Sequence, residues 1–114
     1  MKTKRSAPSP YRAMWLCALF DLPVDDAAAR RAYTRFRKVL LRQGFMMLQF
    51  SVYARFCGSE QKADLICSRV RDQLPGDGEV RFLMVTDHQF GKMEVYCGKK
   101  RARTEEPPRQ LLLF

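Results

Sequence analysis

Three features of the sequence predict an α+β domain folded as one unit. The first is an unbroken apolar run, Met14-Trp15-Leu16-Cys17-Ala18-Leu19-Phe20, of strand length and with no polar residue to mark a solvent side. The second is a pair of helical patterns, after Asp25-Asp26 and after Gly58-Ser59, in which apolar residues recur at three and four. The third is the placing of strand-like segments around them, giving strand, helix, strand, strand, helix, strand, with one more strand appended. That is the order of a ferredoxin-like βαββαβ fold, a four-stranded antiparallel sheet with both helices on one face. The other face stays bare in a single copy, so nucleic acid or a second copy must cover its apolar residues.

The first strand, Met14 to Phe20, is apolar enough to be a central strand. Asp21 stands where it emerges, before Leu22-Pro23, and its carboxylate can serve a turn, neighbour a helix cap or bind a metal. Asp25 or Asp26 caps a helix that runs to Gln43 and is stopped by Gly44. Ala29, Ala32, Tyr33, Phe36, Val39 and Leu40 form its core stripe. Arg31, Arg35, Lys38 and Arg42 repeat at four, three and four on a different face, with Arg30 and Arg37 beside them. No acidic residue follows Asp26 in this helix, so like charges one turn apart repel by about 0.2–0.5 kcal/mol per pair. An array of phosphates removes that cost; a merely solvated face is the plainer alternative.

Phe45 to Phe56 is too long for one strand and predicts a hairpin with its connection or bulge at Gln49-Phe50-Ser51. Alternation sets Val52, Ala54 and Phe56 on one face and Tyr53 and Arg55 on the other, which makes Tyr53 and Arg55 candidates for a functional or dimer-facing surface. Ser59 caps a second helix from Glu60 to Leu74, ended by Pro75-Gly76. Val80 to Val85 is the next strand, Thr86 to Gly91 a turn, and Lys92 to Cys97 the appended strand.

Residues 1–13 read as a flexible basic arm, 14–98 as the folded domain, and 99–114 as a basic linker (Lys99, Lys100, Arg101, Arg103) with an apolar docking tail, Leu111, Leu112, Leu113 and Phe114. Lys and Arg number 21 against 12 Asp and Glu, a net charge of +9 that points to an anionic partner, nucleic acid first. No apolar stretch reaches the ~18 residues of a membrane span, and no signal peptide is evident, so a cytoplasmic location is expected. Cys17, Cys57, Cys67 and Cys97 lack C-x-x-C spacing and read as reduced thiols.

The sequence has no Gly-rich phosphate loop and no H-E-x-x-H, and its single histidine, His88, falls in the turn after the last strand of the βαββαβ order. The economical metal site is Asp21 from each of two subunits, meeting across a symmetry axis to hold Mg²⁺ or Mn²⁺ at a phosphodiester. Two classes therefore compete: a dimeric metal-dependent phosphodiesterase, and a basic dimer that only holds nucleic acid and recruits a partner. The single-stranded RNA-binding module of the same topology is disfavoured, because its Gly and aromatic signature is missing from Val80–Val85 and Val52–Phe56.

Phe20-Asp21-Leu22-Pro23, Gln49-x-Ser51-Val52-Tyr53 and Thr86-Asp87-x-Gln89-Phe90-Gly91, in this order, resemble the CRISPR-associated endoribonuclease family, the small subunit of the CRISPR adaptation complex. The last motif resembles its type II branch, and the likeness spans Trp15 to about Gly98. It implies a homodimer with facing sheets, in which the strand near Lys92–Cys97 pairs with the mate. It implies a scaffold clamped between two integrase dimers, holding double-stranded prespacer DNA, with other type II adaptation proteins as further partners. The helix line then becomes a DNA-backbone track, and Leu111–Phe114 suits contact with the integrase. Asp21 matches the family's metal-associated aspartate, which implies Mg²⁺-dependent nuclease activity on RNA or double-stranded DNA as the alternative to a scaffold.

Overall fold

The computed structural model describes residues 9–108. Its elements are β1 (Met14–Asp21), α1 (Ala27–Arg42), β2 (Met46–Gln49), β3 (Val52–Phe56), α2 (Glu60–Arg71), β4 (Glu79–Thr86), α3 (Asp87–Gly91), β5 (Val95–Cys97) and β6 (Lys100–Ala102). The main sheet has the order β2-β3-β1-β4 with every neighbouring pair antiparallel, which is the predicted ferredoxin-like arrangement. No helix among the described residues is long and apolar enough to cross a membrane.

β1 is central, pairing with β3 on one side and β4 on the other, and this explains its lack of a polar alternation. Leu16, Ala18 and Phe20 point to the helices, where they join Phe36, Val39 and Leu40 of α1 and Ala63, Ile66, Cys67 and Val70 of α2. Trp15 and Cys17 point the other way and form a second cluster with Ala54, Phe56 and Phe90. Burying each Leu, Ile or Phe of this kind contributes about 1.5–3 kcal/mol. The second face is only partly covered, and Leu83 on it is 52% exposed.

Local chemistry sets the helix ends. Asp26 Oδ1 accepts a hydrogen bond from the Ala29 amide at 2.7 Å, and Gly44 at φ 84° takes the left-handed turn that a side chain disfavours. Ser59 caps α2 by accepting from the Lys62 amide. α2 ends at Arg71, short of the expected Leu74, because Pro75 disfavours helical geometry at the residue before it.

Three further details differ from the sequence-based expectation. Tyr53 faces the helix-covered core and is buried, whereas Ala54 and Phe56 take the open face; each face of β3 carries an aromatic ring, so polarity alone leaves the phase unset. Thr86–Gly91 holds a short helix, α3, whose start is a capping box: Gln89 N donates to Thr86 Oγ1, and Thr86 N to Gln89 Oε1. The appended strand is shorter than expected and pairs within the chain, with β6, across the turn Gly98-Lys99. Part of the stretch read as a basic linker is thus a strand, and Gly98 at φ 65° supplies the tight two-residue turn.

Candidate nucleic-acid interface

α1 carries the basic line. At ~100° per residue, Arg31, Arg35, Lys38 and Arg42 fall within ~60° of one another, and the buried Phe36, Val39 and Leu40 are centred roughly 120° around the helix from them. All four basic side chains are exposed. Arg31, Arg35 and Lys38 border a shallow groove with Ala27, Arg30 and Thr34. The ion pairs among the described residues are Arg81–Glu79 and Arg103–Glu106, so none of the four is neutralised within the described chain. A row of this pitch presents point charges and guanidinium forks to a phosphate backbone, a contact that positions without reading sequence.

The two flanking arginines differ from the row. Arg30 Nη1 donates to the Val24 carbonyl at 3.2 Å. Arg37 Nε donates to the Tyr53 hydroxyl at 2.9 Å, on the flank of α1 that faces the β2–β3 hairpin. The Tyr53 ring is thus buried while its hydroxyl keeps a charged donor.

Asp21 is the last residue of β1 and is exposed. It shares the open face with Trp15 and Cys17 and stands opposite Glu79 in the β1–β4 register. Glu79 is engaged by Arg81, whose Nε lies 3.1 Å from Oε1. Gly78, at φ 90°, lets β4 start hard against the end of β1: a Cβ there would lie 2.7 Å from the Asp21 carbonyl oxygen and 2.7 Å from Leu22 Cδ2. Asp25, Asp26 and Asp77 line a separate cleft of about 450 Å³ on the helix side, which Asp21 does not border. Asp26 is committed as a helix cap. Among the described residues, no three His, Cys, Asp or Glu side chains come together as metal ligands. With Glu79 paired to Arg81, one chain offers a single uncommitted carboxylate at this strand end, too few oxygens for a divalent cation by itself.

His88 packs its ring on Tyr11, centroids 4.5 Å apart, and its amide donates to the Pro10 carbonyl. Residues 9–13, read as part of the arm, are thereby fastened to α3. The C-terminal segment bends back over the open face: Thr104 Oγ1 donates to the Met93 carbonyl at 2.8 Å, and Glu106 and Pro108 border a cleft with Trp15, Met46 and Phe56. Leu111, Leu112, Leu113 and Phe114, and the arm's Lys2, Lys4 and Arg5, lie outside the described residues.

Comparison with known proteins adds the family. The family model described as CRISPR associated protein Cas2 matches residues 14–93. A protein of Parvibaculum lavamentivorans named CRISPR-associated endoribonuclease Cas2 is 54% identical over 101 residues, covering 89% of this chain and 100% of its own. Proteins of the same name from Flavobacterium psychrophilum and Paracidovorax avenae are 44% and 43% identical over 104 residues, covering 91% of this chain and 90% and 96% of theirs. The matched span begins with β1 and ends just past α3, so it contains the sheet, both long helices and the strand-end aspartate; the chain belongs to the Cas2 family of CRISPR-associated proteins.

Proposed function

We propose that this chain is the DNA-binding structural subunit of the CRISPR adaptation complex. A homodimer, formed through the open sheet faces, bridges integrase dimers and holds double-stranded prespacer DNA for integration into the repeat array in the cytoplasm. Family membership supports the setting. The observation that carries the DNA role is the exposed row Arg31, Arg35, Lys38 and Arg42, whose charge has no acidic partner among the described residues. Its mutual repulsion is relieved by phosphates.

The test is duplex binding across a salt series by wild type and by the variant with all four residues changed to Glu. Loss of each phosphate contact lowers the slope of log K against log salt by ~0.9, so the variant is expected to bind more weakly and with a slope shallower by about 3.6. Affinity and slope at wild-type values would contradict the reading.

The second reading is a Mg²⁺- or Mn²⁺-dependent phosphodiesterase at Asp21. It is favoured by the exposed position of that carboxylate at one end of the open face and by the endoribonuclease names of the relatives. Since one chain supplies one uncommitted carboxylate there, Glu79 being paired with Arg81, the ion needs the second copy's Asp21 as well. Cleavage of RNA or duplex DNA by the purified protein, abolished in Asp21→Ala and by chelator, would support it.

A further inference from the structure

Phe50, at the turn between β2 and β3, is 75% exposed, the highest value of any large hydrophobic side chain among the described residues. It is nevertheless held in place. Its ring stacks on Tyr33 of α1, centroids 5.4 Å apart and planes within 16°. Ser51, at φ 65°, brings its hydroxyl to 3.0 Å from the Tyr33 hydroxyl and fixes the turn against the helix. Tyr33 thus supports the inner face of the ring and the outer face meets water.

Arginines bracket this pair. Arg30 and Arg37 stand three residues before and four after Tyr33, the spacings that make neighbours on a helix surface. Arg37 is anchored by its single bond to Tyr53, which uses one of the five donors of its guanidinium. The acid one turn before Arg30, Asp26, is occupied as the helix cap. Neither arginine has an ion pair among the described residues.

We propose that Arg30, Tyr33, Phe50 and Arg37 form a binding strip for single-stranded DNA, with an unpaired base stacked on the outer face of Phe50 and its phosphates on the two guanidinium groups. A paired base inside a duplex has both faces covered by its neighbours, so away from duplex ends an unpaired base is the one that can use the ring. Charge selects an anionic partner over an apolar protein surface. The choice of DNA over RNA rests on the proposed function; the stacking site does not.

The test is fluorescence anisotropy on the full chain with three probes: labelled oligo-dT, oligo-U of equal length, and a mixed-sequence duplex. Phe50→Ala is expected to weaken oligo-dT binding about tenfold, within the range of single base-aromatic stacks, and to leave the duplex within about twofold. Phe50→Trp is expected to retain oligo-dT binding. Oligo-dT affinity unchanged in Phe50→Ala overturns the proposal. So does an equal loss on the duplex, a change of oligomeric state in place of a binding loss, or oligo-U bound more than about tenfold tighter than oligo-dT. If wild type fails to bind the duplex but Phe50→Ala still weakens oligo-dT, the strip stands and the duplex reading falls.

Discussion

Trp15 and Phe90 lie face to face, ring centroids 3.9 Å apart and planes within 4°, while the Trp15 indole N–H donates to Asp87 Oδ1 at 2.8 Å. The two contacts fasten α3 to the open face of β1, and the chain then leaves α3 for the β5–β6 hairpin. The Thr86 to Gly91 motif is thereby structural. Thr86 and Gln89 shape the turn, Asp87 accepts from the indole N–H and Phe90 fills the face.

Phe90→Ala is expected to destabilise the fold by about 3–5 kcal/mol, since it removes a buried ring from a packed cluster. Asp87→Ala, which strips the buried indole N–H of its acceptor, is expected to cost about 1–3 kcal/mol. Urea unfolding followed by Trp15 fluorescence measures both, and a loss below about 0.5 kcal/mol in each would show that α3 is not fastened in this way.

Gly78→Ala tests how the Asp21 end is built. The added Cβ would meet the Asp21 carbonyl oxygen and Leu22 at a residue whose φ of 90° already disfavours a side chain. The expected cost is about 1–3 kcal/mol, read by thermal or chemical unfolding. By contrast Gly76→Ala, where a Cβ would meet nothing within 4 Å, is expected to be near neutral.

The proposed dimer makes Leu83 a sensitive position, because it stands half-exposed on the open face beside Cys17. Leu83→Arg is expected to halve the mass seen by light scattering while leaving the circular dichroism spectrum unchanged. A full-mass dimer in that variant would place the subunit contact elsewhere.

Burial pushes the Cys17 thiol above its ordinary 9.0, with the nearby Cys57 adding to the rise, and burial does the same to Cys57 against the opposing effect of Arg55. Raised folded-state values favour the neutral thiol. Their contribution to stability is therefore intact below the unfolded thiol value and is lost as pH climbs through the raised folded values. Unfolding free energy should decline in that alkaline window, less steeply in Cys17→Ala. At pH 8, an aromatic disulfide reagent is expected to modify exposed Cys97 quickly and the three buried thiols only on unfolding.

The elements built from long periodic segments were legible in the sequence. Asp26 as cap, Gly44 as stop and the Phe36, Val39, Leu40 stripe follow from local chemistry that the tertiary structure keeps. What the sequence left open depends on partners across the sheet. The phase of Tyr53 is decided by its register with Ala18, a core-facing residue, and not by its own polarity. α3 has five residues, too few to show a helical period. β6 reads as a charged linker because its side chains are solvated and its strand character comes from pairing with β5. The basic row was legible as a row, but the division of labour between it and Arg37 required the Tyr53 hydroxyl.

The most direct measurement is prespacer integration by this protein with its cognate integrase, comparing wild type, Asp21→Ala and the Arg31, Arg35, Lys38, Arg42 reversal. The scaffold account predicts integration retained in Asp21→Ala and lost in the reversal, with the dimer intact in both. Integration lost in Asp21→Ala while dimerisation and duplex binding stay at wild-type levels would contradict it and make the strand-end carboxylate the seat of function.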